Sequence, residues 1–274
     1  MIHIFCALPC EAQPIIQNFK LTELKQFDLF RIYQSKDKDK EINLTITGIG
    51  KLNAASAVSY HHASLNTKAS DIWLNIGVAG HANISIGEAR LVNKITEEQT
   101  KSCWYPQIIF KAPCDSIALI TLDKPSDDYQ EALFDMEASG FYQMAIRLGT
   151  AELIHSLKII SDNAEQATST VNTDSVKKMM AKHVITIKNI LDSLKPISLE
   201  IDSIISEPKE YKEFLERWHF TQSERIQLSR LLQQWNLRLP NDEITKYVSE
   251  LTTGKFVLNV LREKINASEF VIHD

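Results

Sequence analysis

Residues 42–62 read INLTITGIGKLNAASAVSYHH, and their interpretation decides the fold class. Ile42 to Thr47 alternates apolar and polar side chains, the period of a half-buried strand. Gly48 and Gly50 break that pattern, and from Lys51 an alanine-rich helical stretch runs to about His62. The same order of strand, turn and helix recurs on both sides. Upstream, Ile2 to Leu8 is a short apolar run ending at Pro9, as a buried first strand would be, and Glu11 to Phe19 can form a helix with Pro14 in its first turn. The charged run Lys36 to Glu41 between them reads as a solvated hairpin tip.

Downstream, Asp71 to Ile76 predicts a strand, followed by a second glycine turn, Gly77-Val78-Ala79-Gly80. Ala89 to Ile95, Ser116 to Leu122 and Leu153 to Ile160 predict further strands, Met136 to Leu148 a helix, and Val176 to Leu194 a long amphipathic helix ended by Lys195-Pro196. Strands alternating with helices imply an α/β layered domain with a largely parallel sheet. From Glu207 to Ala267 only helical periodicity remains. Helices are expected at Lys209–Trp218, Gln222–Trp235, Asp242–Leu251 and Lys255–Ile265, with Thr221 and Asn241 as N-caps and Gly254 as a break. The expected division is residues 1–197 as the α/β domain and 198–274 as an all-helical appendage.

Composition narrows the function classes. The chain has 274 residues, 44% hydrophobic and 24% charged, ordinary for a globular protein with a real core. Thirty basic against 35 acidic residues give a net charge of -5, so no basic excess argues for a nucleic-acid partner. No stretch approaches the ~20 apolar residues of a membrane span, and the N-terminus lacks the basic region of a signal peptide. Cys6, Cys10, Cys103 and Cys114 form no Cys-x-x-Cys pair and are read as reduced thiols of a cytoplasmic protein. The eight histidines show no metal-ligand spacing with a carboxylate, so no metal or cofactor is expected. His81, just after the second glycine turn, is the one histidine placed to reach a cleft.

Ligands of open α/β sheets bind beyond the carboxyl ends of the strands. Glu11, Glu137 and Asp162 all stand just after predicted strands, beside the two glycine turns. Each alone has an ordinary account: Glu11 and Glu137 as acids in a first helical turn, Asp162 as a turn or cap residue. Together they suggest one acidic cleft without naming its reaction.

Three segments, in order, resemble the purine nucleoside phosphorylase/nucleosidase superfamily, closest to the 5′-methylthioadenosine/S-adenosylhomocysteine nucleosidases. They are Ala7-Leu8-Pro9-Cys10-Glu11; Gly48 to Ala55 with Asn75 to Gly80; and Asp135-Met136-Glu137-Ala138 with Ile160-Ser161-Asp162. The resemblance covers residues 1 to about 195. It implies a three-layer αβα nucleoside phosphorylase-like domain with a central mixed sheet, a homodimer, and cleavage of a purine nucleoside's N-glycosidic bond. It casts Glu11 as the carboxylate that activates water, Glu137 as the group gripping the ribose hydroxyls with Met136 beside the sugar, and Asp162 as the acid that protonates purine N7. Val78, Ala79 and Gly80 bring backbone to the sugar, and Lys158 stands where the well-known nucleosidases have arginine. The expected reaction is hydrolysis, possible on a 5′-modified nucleoside, without cofactor or metal.

A phosphorylase is the competing enzyme. A glutamate at position 11 repels phosphate, and the early arginines are only Arg31 and Arg90. A non-catalytic nucleoside- or partner-binding protein on the same frame is the third reading. Its motive is Val78, where a small hydroxyl residue is common, and a base-covering loop that is not recognisable. Ile120 to Pro125 lies about where that loop belongs, and Trp104 and Tyr105 are candidate stacking residues, although aromatics more often pack a core. In the appendage, Ile226, Leu228, Leu231, Leu232 and Trp235 form a helical stripe that predicts a packed bundle. Arg217, Arg225, Arg230 and Arg238 leave a partner- or nucleic-acid-binding module as the alternative.

Overall fold

The computed structural model describes residues 1–36, 42–126, 130–165 and 171–268. The charged run is therefore outside the described residues from Asp37 to Glu41. Two compact units result, Met1–Glu200 and Ile201–Asp274.

Among its described residues the first unit has ten strands: β1 (Ile2–Cys6), β2 (Leu21–Glu23), β3 (Arg31–Ser35), β4 (Ile42–Ile46), β5 (Ile72–Gly80), β6 (Ala89–Glu97), β7 (Cys103–Trp104), β8 (Ser116–Thr121), β9 (Leu133–Asp135) and β10 (Ile154–Asp162). Its helices are α1 (Pro9–Asn18), α2 (Lys51–Leu65), α3 (Ala138–Ala145), α4 (Thr173–Lys182) and most of α5 (Val184–Ile205). The sheet is mixed, as expected. β1 pairs in parallel with β4 and β5, while β3 and β2 continue the β4 side antiparallel. β5 pairs in parallel with β10, β10 antiparallel with β6, β6 in parallel with β8, and β8 in parallel with β9. β9 returns to β5 at Phe134 opposite Gly80, so this half of the sheet closes into a ring.

β5 is the hub. Its first four residues pair with β1, and its last residue pairs with β9 on the ring. A strand covered on both faces needs an apolar run, and Ile72-Trp73-Leu74 supplies one, buried throughout. The strand does not stop at Ile76. Gly77 to Gly80, expected as a turn, are its last four residues, because β10 holds them in register from Lys158 opposite Gly77 to Asp162 opposite Gly80. By contrast, the Gly48–Gly50 turn forms as expected. Both glycines have positive φ, +81° and +102°, which a side chain resists.

The helix expected over Val176–Leu194 is two helices separated at His183, whose Nε2 lies 2.6 Å from the Gly87 carbonyl. Nor does Pro196 end the second. α5 continues to Ile205, although all its buried residues, Val184 to Leu194, precede the proline.

The second unit contains α6 (Tyr211–Arg217), α7 (Gln222–Arg238), α8 (Thr245–Val248) and α9 (Gly254–Ala267). It has its own core, in which Phe214, Trp218, Leu228, Leu232, Trp235, Val257 and Leu261 are buried together. Thr221 caps α7 in a reciprocal box with Glu224, as expected. Asn241 caps nothing, and the helix expected over Asp242–Leu251 shrinks to the four residues of α8. Gly254 stands at the break expected before the last helix and is the first residue of α9; a Cβ there would fall 2.6 Å from the His219 carbonyl oxygen and from the Phe220 ring.

Candidate active site

Beyond the carboxyl ends of β1, β5, β8, β9 and β10 lies a cleft of about 300 Å³. Glu11, Val78, Ala79, Gly80, Met136, Glu137 and Asp162 all line it. Lys158 does not, although it stands immediately behind.

Glu11 enters from the first turn of α1. One carboxylate oxygen accepts the Leu8 amide at 2.8 Å, and the other accepts the Val78 amide at 3.0 Å. It is thus both the helix-terminal acid of the ordinary account and a wall of the cleft. The close approach to β5 explains Gly77: a Cβ there would fall 2.9 Å from Glu11 Oε1. Val78 contributes its backbone amide to this anchor, a role for which the side chain is indifferent. Burial raises the Glu11 carboxyl above its usual range, against the pull of the two amides and of Lys158.

Glu137 is set by the turn between β9 and α3. Its Oε1 accepts the Gly50 amide at 2.8 Å, so the first residue before α2 points a free N–H, and the positive helix end behind it, at this carboxylate. Burial pushes the Glu137 carboxyl up to about 7, and the neighbouring Asp135 adds to the shift while Lys158 and the Gly50 amide oppose it.

Asp135 accounts for Lys158. The Lys158 ammonium lies 2.8 Å from Asp135 Oδ2, and both side chains are essentially fully buried. Burial alone would lower the Lys158 pKa; Asp135, Glu137 and Glu11 outweigh it and hold the lysine above its usual value. One cation therefore faces three carboxylates from behind the cleft wall. Asp135 is further held by the Thr121 hydroxyl at 2.8 Å and the Ala138 amide at 2.8 Å.

Asp162 closes the opposite wall at the end of β10. The Ser161 hydroxyl donates to its Oδ1. The three carboxylates expected to converge are thus in one cavity, which otherwise is walled largely by apolar side chains including Leu8, Leu122, Phe134 and Val176.

Several expectations fall elsewhere. His81 does not line the cleft; its Nδ1 accepts the Asn83 and Ile84 amides at 3.0 and 3.1 Å, so it shapes its own loop. Trp104 packs against the core of the first unit, and Tyr105 is 58% exposed on the surface. Arg90 pairs with Glu88 at 2.5 Å, and Arg31 is exposed on β3. Among the described residues no three histidine, cysteine or acidic side chains are grouped as a metal site would require, and no helix is long and apolar enough to cross a membrane. All four cysteines are free thiols. Sequence reading missed Phe134, which lines the cleft beside Asp135; nothing in its neighbours distinguishes it from a core aromatic. It also gave no role to Asp135, whose partner stands 23 residues away.

No protein-family model matches the sequence. A curated 5′-methylthioadenosine/S-adenosylhomocysteine nucleosidase of Staphylococcus carnosus is 28% identical over 141 residues, a match covering 48% of this chain and 60% of that relative's length. Among solved structures, 5′-methylthioadenosine nucleosidase of Arabidopsis thaliana in apo form superposes with a TM-score of 0.59 at 17% identity, over 70% of this chain and 95% of that one. The 5′-methylthioadenosine/S-adenosylhomocysteine nucleosidase of Helicobacter pylori, with butyl-thio-DADMe-Immucillin-A, gives 0.58 at 14% identity, over 70% and 97%. The resemblance read from the three ordered motifs is borne out in these likenesses, and the chain carries the fold of the 5′-methylthioadenosine/S-adenosylhomocysteine nucleosidases.

Proposed function

We propose that this protein hydrolyses the N-glycosidic bond of a purine nucleoside. The observation that carries the reading is the convergence of Glu11, Glu137 and Asp162 on one small, largely apolar cleft. The likeness to nucleosidases supports the same reaction class.

The chemistry follows from the bond. Its cleavage leaves an oxocarbenium-like sugar, which a nearby carboxylate stabilises. Glu11 serves as the base for water, because its raised pKa makes it a better proton acceptor than an ordinary carboxylate while the Leu8 and Val78 amides keep it in place. Glu137 and Met136 hold the ribose. Asp162 protonates N7 of the departing base, a step available only to purines. Lys158 is a counterion in the wall, balancing Asp135 and steadying Glu11 and Glu137 instead of touching substrate. The protein works as a cytoplasmic homodimer, without a cofactor.

Hydrolysis is preferred to phosphorolysis on charge. No arginine is among the described residues lining the cleft, Lys124 is the one cation among them, and Lys158 is engaged by Asp135. Four carboxylates, Glu11, Asp135, Glu137 and Asp162, line the cleft and would repel an incoming phosphate.

The test is release of free base from a panel of purine and pyrimidine nucleosides, without phosphate and then with it. Base release from purines alone, independent of phosphate, is expected. Asp162→Asn should lower kcat by ~10²–10⁴-fold while nucleoside still binds. Strict phosphate dependence would turn the assignment to a phosphorylase, and binding without release in either condition would end the enzymatic reading.

A further inference from the structure

We propose that Lys51 is a positioning residue for one wall of the cleft, clamping the loop at 122–126 to the turn that holds Glu137. The inference rests on the nucleosidase reading above and assigns a role to a residue that touches no substrate.

Lys51 is the first residue of α2. Its ammonium is 2.7 Å from Asp123 Oδ1 and also pairs with Glu97 Oε1 at the end of β6. Glu97 is tied by its other oxygen to the Thr100 hydroxyl at 2.5 Å. Asp123 begins a loop whose next residues, Lys124, Pro125 and Ser126, line the cleft. Two backbone bonds fix the root of that loop, Glu98 N to Thr121 O at 3.1 Å and Leu122 N to Asp135 O at 2.7 Å. Past Leu122, the Lys51–Asp123 pair ties the loop back to the start of α2.

The anchor itself is rigid. Gly140 of α3 packs on the Lys51 backbone so closely that a Cβ there would fall 2.0 Å from the Lys51 carbonyl oxygen. One residue earlier, the Gly50 amide holds Glu137. A single backbone corner thereby sets the sugar-side carboxylate with its amide and the opposite loop with its side chain. The charge arrangement makes the clamp sharp: with Lys51 removed, the Glu97 and Asp123 carboxylates face each other and repel. Loss of the cation thus drives the loop outward as well as releasing it.

The experiment is a kinetic cycle on base release from adenosine and 5′-methylthioadenosine. Lys51→Met should raise KM about tenfold, or about 1.4 kcal/mol, with kcat changed less than about threefold, the pattern of lost ground-state binding. Lys51→Arg should stay near wild type. In Lys51→Met/Asp123→Asn the repulsion is gone, so KM should return to that of Asp123→Asn alone. For the wild type, added salt of about 0.5 M should raise KM by weakening the partly exposed pair, and Asp123→Asn should lose that sensitivity; this arm remains if Lys51→Met fails to fold. An unchanged KM in Lys51→Met, no recovery in the double variant, or equal salt response in wild type and Asp123→Asn overturns the clamp. A wild type that releases no base overturns the nucleosidase reading beneath it, and the clamp's role with it.

Discussion

Replacing Glu137 by glutamine should stabilise the folded protein, and more so as pH rises. Burial and Asp135 move this carboxyl from its ordinary 4.5 to about 7. A raised carboxyl pKa means that the folded state holds a proton which the unfolded chain has already given up. The folded state is therefore penalised progressively from about pH 4.5 to about pH 7, and stability is lost as pH rises through that window. Integrated over the shift, the penalty is about 1 kcal/mol at pH 5 and about 3 kcal/mol at pH 8. Glutamine keeps an oxygen for the Gly50 amide and never ionises, so it escapes the penalty. The assay is urea unfolding of wild type and Glu137→Gln at about pH 5 and about pH 8, compared as a difference because every other titrating group is shared. With a slope of ~2–3 kcal/mol per molar urea, the midpoint gap should widen by roughly 1 M between the two conditions. A gap independent of pH would refute the assignment of a strained, proton-holding Glu137. Catalysis should move the other way, since the variant loses a ribose-gripping carboxylate.

Gly77→Ala should lower kcat about 10²-fold, because the new Cβ would fall 2.9 Å from Glu11 Oε1 and push that carboxylate aside; equal kcat would remove Glu11 from the reaction. Lys158→Met should cost about 3–5 kcal/mol by leaving the buried Asp135 without its cation, measured as a fall in unfolding midpoint; an unchanged midpoint would refute a structural role for the pair. In the second unit, Leu228→Ala should cost about 2–5 kcal/mol in the transition followed by the fluorescence of Trp218 and Trp235, since Leu228 is fully buried in that unit's core. No change there would argue that the helices do not form an independent core.

Local sequence carries local facts. Gly48 and Gly50 announce a turn because their φ values are open to glycine alone at little cost, and Thr221 announces a helix start because an N-cap bonds an amide three residues on. The carboxylates at 11, 137 and 162 were legible as strand-end residues for a similar reason: the alternation of strand and helix tells which end of each strand they occupy. Where a signal depended on what lay opposite, reading failed. Gly77 to Gly80 looks like a turn until β10 is placed beside it, and Val176 to Leu194 looks like one helix until His183 is found against the Gly87 carbonyl. His81 looks available to a cleft until its ring is found accepting two amides of its own loop.

The sequence by itself determined the α/β class, the helical character of the last quarter of the chain, and the three acidic residues of the cleft, because periodicity and punctuation are properties of neighbours along the chain. Only the tertiary structure decided that the sheet closes from β9 back onto β5, that Lys158 answers Asp135 from behind the wall, and that Lys51 bridges Glu97 and Asp123. Those are pairings between residues 23 to 72 positions apart. A buried charge selects its partner by proximity in space and by the cost of being left unpaired, neither of which is written in the order of the chain.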